Sequence, residues 1–163
     1  LPSANPAARR AEGSPVSAGA MDRGAERAIE WDCGQVLLRF YDAFDAWDYD
    51  GMAALFCEDG VWHRAGKALA GRAALVAEMR RRSTTQVIRH VVTNLIVDAQ
   101  DADHAQARLY LTAYRHDGGE PRQVPAPLHG PDLLLLVSAT LVRQADGWRI
   151  REKTTRREFE VRN

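Results

Sequence analysis

The apolar residues of this chain change their spacing once, near residue 84, and that single change bounds what it can fold into. Before it they recur every three or four positions, and after it they fall into runs of strand length, the first of them dense in Val and Ile. Ile29, Cys33, Val36, Leu37, Phe40, Phe44 and Trp47 share one face of a helix predicted from Glu26 to Trp47. Asp48-Tyr49-Asp50-Gly51 interrupts it. Met52, Leu55 and Phe56 predict a short second helix closing near Asp59-Gly60, and Val61 and Trp62 open a first strand. Beyond Gly71, Leu75, Val76 and Met79 form the apolar stripe of a third helix over Arg72 to Arg82, with a basic end that suits the macrodipole.

After the change, Gln86 to Asp98 reads as a long strand, and Asp101-Ala102-Asp103 turns the chain into a second from His104 to Tyr114. Residues 116–132 hold four prolines and three glycines and predict a long loop, a lid or an interface arm. Leu133 to Arg143 and Trp148 to Phe159 are two further strands, joined at an Asp146-Gly147 hairpin signal. Helices first and antiparallel strands afterwards imply α+β architecture. About three N-terminal helices would pack on one face of a curved antiparallel sheet, a cone-shaped barrel enclosing a pocket.

Composition narrows the function. Twenty-two basic and 22 acidic residues cancel, so no overall field draws the chain to nucleic acid or to an anionic membrane, and a small ligand is the expected partner. A hydrophobic content of 45% in 163 residues suffices for one core. Cys33 and Cys57 do not make a disulfide framework and are expected reduced and buried. No apolar run reaches the roughly 20 residues of a membrane span. Residues 1–24 read as a disordered leader rich in Ala, Pro, Ser and Gly, without the apolar stretch of a signal peptide; Met21 is a possible native start, and a cytoplasmic location is expected. The domain is expected over 25–163.

The stretch RFYDAFDAWDYDGMAALFCEDGVWHRAGKALAGRAAL, with VIRHVVTNLIVDAQDADHAQARLYLTAYR and the closing DGWRI, resembles the SnoaL-like branch of the nuclear transport factor 2-like superfamily over about residues 28 to 160. Scytalone dehydratases and ring-hydroxylating dioxygenase β-subunits are the relatives it is most similar to. That scaffold hosts enzymes and non-catalytic subunits alike. The resemblance implies a homodimer, and a small apolar cyclic ligand or an oxygenase large subunit as partner.

Period-two counting sets His90 on one face with Ile88, Val92, Asn94 and Ile96. It is either a proton-transfer group facing the pocket or a structural histidine bonded to a carbonyl. In "IRHVVTN" it resembles the acid/base histidine of scytalone dehydratase-like enzymes, a role suited to an imidazole titrating near neutral pH. Asp45 in "AFDAWDYD" matches the aspartate that orients that histidine, although Asp42, Asp48 and Asp50 also make this an acidic helix end.

The match is incomplete. Phe44 stands where scytalone dehydratase has a tyrosine, and its second strand histidine falls near Tyr114. Against ketosteroid isomerase, Phe40 and Arg64 replace the oxyanion tyrosine and the general-base aspartate, and neither can perform the lost role. The expected ligand contacts are Asn94, Tyr41, Tyr110, Tyr114, Trp62 and Phe44, with Asn94 or a tyrosine (Tyr49 included) polarising a carbonyl.

His63 and Arg64 read as a strand end or an anion contact at the pocket mouth. Arg80-Arg81-Arg82 reads as a solvated helix end, and Arg149, Arg151, Lys153, Arg156 and Arg157 as the wet side of the last strand. The five histidines show no metal-ligand spacing, and no phosphate-binding loop or nucleophile elbow is present, so neither metal nor cofactor is expected. The leading expectation is a cofactor-independent lyase or isomerase of dehydratase or cyclase type, acting on a cyclic or polyketide-like substrate. The alternative is a non-catalytic oxygenase β-subunit or a ligand-binding dimer.

Overall fold

A computed structural model describes residues 21–160 of the chain. Asp22 starts the first helix: its carboxylate accepts from the backbone N–H groups of Gly24 and Ala25 at 3.0 and 3.3 Å, and α1 runs Arg23–Asp45. Residues 23 and 24, assigned to the leader on sequence, therefore belong to the first helical turn, while 1–20 lie outside the described residues. The predicted apolar face is the buried one, with Ile29, Cys33, Leu37, Phe40, Tyr41 and Phe44 all turned inward. The helix stops short of Trp47, which takes a left-handed φ of 67° that no helix can continue.

Asp48 caps the short α2 (Tyr49–Ala54) by accepting from the Gly51 N–H at 2.8 Å. The chain does not continue helical to Gly60, as the apolar spacing predicted. Phe56 instead begins β1 (Phe56–Arg64), because the Arg72 guanidinium reaches back to the Phe56 carbonyl at 2.6 and 2.9 Å and the strand finds a partner far along the chain. A left-handed Ala65-Gly66 turn leads into β2 (Lys67–Ala70), which no periodicity foretold because only Leu69 of its four residues is buried. Helix α3 (Arg72–Met79) buries the predicted Leu75, Val76 and Met79.

Four long strands follow: β3 (Gln86–Ala99), β4 (His104–Asp117), β5 (Leu133–Gln144) and β6 (Gly147–Glu160). Their order is β2-β1-β6-β5-β4-β3, an open sheet with β2 and β3 at its edges. Every pairing is antiparallel except β1 with β6, which run parallel. Turn residues announce the hairpins β3–β4 and β5–β6, but nothing local encodes the long-range contact between β1 and β6. Helix α1 packs across the inner face, chiefly against β3 and also against β6 and β4, and its buried residues join Leu109, Leu111, Val137, Ala139 and Leu141 in one core. The rings of Phe40, Tyr41, Phe44, Phe56 and Trp62 form one aromatic cluster between helix and sheet.

Two bulges aim the side chains of the sheet. In β3 the register slips between Thr93 and Ile96, where Asn94 takes a φ of 52°. In β6 it slips by one residue opposite Thr140 and Leu141. The first reverses which residues of β3 face inward from that point on, and the second does so in β6 as far as a further slip opposite Leu134 and Leu135.

Candidate functional site

The last turn of α1 and the edge strand β3 meet at Asp45 and His90. His90 Nδ1 lies 2.5 Å from Asp45 Oδ1, and the His90 backbone N–H donates to Asp45 Oδ2 at 2.8 Å. Both side chains are enclosed, at 7% exposure for His90 and 15% for Asp45. β3 has no neighbour strand on its outer edge, so the backbone N–H is free to take a carboxylate. An Asp45 carboxylate can only accept, so the contact calls for an Nδ1–H and leaves Nε2 as the ring nitrogen facing away from it.

Two aromatic rings fix the imidazole. Phe44 meets it edge-on with centroids 4.7 Å apart, and Tyr41 lies tilted at 5.4 Å. Of the other acids of the helix end, Asp48 caps α2 and Asp50 pairs with Arg80 at 2.9 Å. A surface cleft of about 400 Å³ is bordered by Asp45, Trp47, Gln86, Arg89, Arg122 and Val124, beside the pair. The predicted loop contributes to it, since Arg122 lies over the Trp47 ring at 4.2 Å.

Of the predicted ligand contacts, Tyr41, Phe44 and Trp62 are buried on the imidazole's side of the sheet. Tyr41 Oη has no hydrogen-bond partner, and burial pushes its phenol far above the ordinary value. Tyr49 is buried too, its hydroxyl accepting from Arg82 at 3.2 Å.

Asn94, Tyr110 and Tyr114 are not brought to the imidazole. Asn94 is the left-handed residue of the β3 bulge and is exposed, and past it Leu95, Val97 and Ala99 take the inner positions that strict alternation gave to Ile96. Tyr110 and Tyr114 alternate with the buried Leu109, Leu111 and Ala113, so they stand on the outer face, where Tyr110 is 44% exposed.

Sequence reasoning missed Lys153. Expected on the wet side of β6, it is 1% exposed, because the bulge after Ile150 turns it inward beside Trp62. Its ammonium lies over the rings of Trp62, Phe40 and Tyr41 at 4.3, 4.7 and 5.2 Å, and donates only to Thr155 Oγ1 at 3.3 Å. Burial, and then the Arg64 charge, hold its pKa well below the ordinary value. Arg64 also turns inward, its guanidinium 5.1 Å from the Trp62 centroid. The neighbouring His63 does read as an exposed strand end, paired with Glu152 at 2.8 Å. A one-residue parity slip inside an otherwise regular strand leaves no mark on composition, so the only available signal was the rarity of lysine: the chain has two, Lys67 and Lys153, among 22 basic residues.

N-terminal helices laid across a curved, open, mostly antiparallel sheet make this a protein of the nuclear transport factor 2-like fold. The chain belongs to the SnoaL-like domain family, whose model matches residues 25–154. Among solved structures it is similar to Aln2 from a Streptomyces species, at 23% identity and TM-score 0.68 over 78% of this chain and 89% of that one. ActVI-ORFA from Streptomyces coelicolor gives 24% and 0.64 over 78% and 96%. A putative scytalone dehydratase from Novosphingobium aromaticivorans gives 19% and 0.67 over 81% and 88%. At these identities the likeness shows the fold. No curated protein matches the chain. No helix among the described residues is long and apolar enough to cross a membrane.

Proposed function

We propose that the protein is a cofactor-independent lyase or isomerase of the dehydratase or cyclase type, acting on a small cyclic or polyketide-like substrate. The observation that carries this reading is the two-point grip of Asp45 on His90, at 2.5 and 2.8 Å in a nearly water-free setting. His90 Nε2 takes a proton from the carbon next to a substrate carbonyl and returns it to the leaving hydroxyl or to another carbon. Asp45 holds the tautomer and stabilises the imidazolium that forms, the task of the orienting acid in a triad. Tyr41, with its unpartnered buried hydroxyl, is the tyrosine left to polarise that carbonyl.

The direct test is exchange in deuterium oxide: cyclic ketones and aromatic polyketide mimics are incubated with the protein, and label entering next to the carbonyl is followed by NMR. His90→Ala should lower exchange by roughly 10²–10⁴-fold with circular dichroism unchanged. Exchange that persists at the wild-type rate would remove His90 from the mechanism. The same reading carries a homodimer, formed through the outer face of the sheet where Val91 and Tyr110 are exposed.

A further inference from the structure

We propose that Lys153 and Arg64 form a receptor for the carboxylate of a cyclic or aromatic acid, so that the substrate of the His90 site is an anion. The proposal deepens the proton-transfer reading and rests on it for the word substrate. Its foundation is a pair of cations set against one indole ring: Lys153 Nζ and Arg64 Cζ lie 4.3 and 5.1 Å from the Trp62 centroid. Two like charges held together inside a fold repel and are costly unless an anion joins them. No carboxylate bonds to either group among the described residues. The Glu78 carboxylate whose charge acts on Arg64 is itself bonded to Lys67 at 2.7 Å.

Hydrogen-bond capacity points the same way. An ammonium has three donors, and Lys153 uses one of them, on a Thr155 hydroxyl that already accepts from the Trp62 indole at 3.0 Å. Arg64 presents a planar fork that matches a carboxylate bidentately. The rings around Lys153 would flank the flat body of an aromatic acid. Tyr41 joins the two halves of the site, its ring 5.4 Å from the His90 ring and 5.2 Å from Lys153 Nζ. An acid long enough to pass the Tyr41 ring would bring its far carbons toward the imidazole.

The test is titration of the full chain with benzoate and with benzamide, followed by tryptophan fluorescence and by NMR shifts. Wild type should bind benzoate at least about tenfold tighter than the isosteric neutral amide, the ratio expected for one charge-assisted contact. Lys153→Met and Arg64→Met should each bring the two affinities within about threefold of one another. Equal binding of acid and amide by wild type, binding of neither, or a preference surviving in both variants would overturn the receptor. Chemical denaturation of each variant confirms that it is folded before it is scored. The titration involves no turnover. Intact preference with no deuterium exchange would thus sink only the proton-transfer reading, and exchange without preference would sink only the receptor.

Discussion

Lys153 shows most plainly how one residue can be set against the stability of its own fold. Its charged form is stripped of water and faces Arg64, while Tyr41, the other titratable group against it, offers only a ring face. Replacing it by an apolar residue of similar length removes that desolvation cost. Lys153→Met should therefore be more stable than wild type by roughly 1–4 kcal/mol near neutral pH in urea denaturation, and a destabilised variant would show that the ammonium is a structural tie. The pH dependence follows from the sign of the shift. Between its depressed folded-state pKa and the ordinary 10.5, the unfolded chain binds more protons at this lysine than the folded one, so its contribution to stability rises with pH across that window. Below the folded-state pKa the penalty is fully present and flat. The gap between Lys153→Met and wild type should narrow as pH climbs from neutrality toward about 10, and a constant gap would mean the amine is not strained.

At the scale of elements, what could be read in advance was whatever one period reports. The buried face of α1, the stripe of α3 and four of the six strands follow directly from the spacing of Ile29 to Phe44, of Leu75 to Met79 and of the strand-length segments bounded by turn residues after residue 84. The bulges could not be read, because a strand carrying one extra residue has the same composition as a regular one. They account for the misplacing of Asn94, Ile96 and Lys153, while Tyr110 and Tyr114 failed for a different reason, an unassigned choice between the two faces of β4. Asn94 gives the element its test. Asn tolerates left-handed backbone and a β-branched residue does not, so Asn94→Gly should change stability little, whereas Asn94→Val should lose roughly 1–2 kcal/mol by urea denaturation. Equal stability of the two variants would show that the bulge relaxes and has no part in setting the parity of β3.

For the whole molecule, the helix-then-strand order was enough to specify the α+β class, and the Asp45 and His90 pairing expected from the family resemblance is the geometry found. The parallel seam between β1 and β6 and the hidden cations were not legible, since both depend on contacts between distant parts of the chain. Light scattering should return twice the 18.1 kDa chain mass if the outer sheet face is a dimer seam, and Val91→Lys with Tyr110→Lys should halve it. Proton transfer in this molecule requires one imidazole held by one carboxylate away from water. Long-range proton–nitrogen NMR of the ring at about pH 8, where an ordinary imidazole is neutral, reads that arrangement without any substrate. The prediction is a His90 proton on Nδ1, slow to exchange with solvent, and a bare Nε2, with the pattern lost in Asp45→Ala. A proton resting on Nε2, or a ring averaging both forms in free exchange with water, would contradict it.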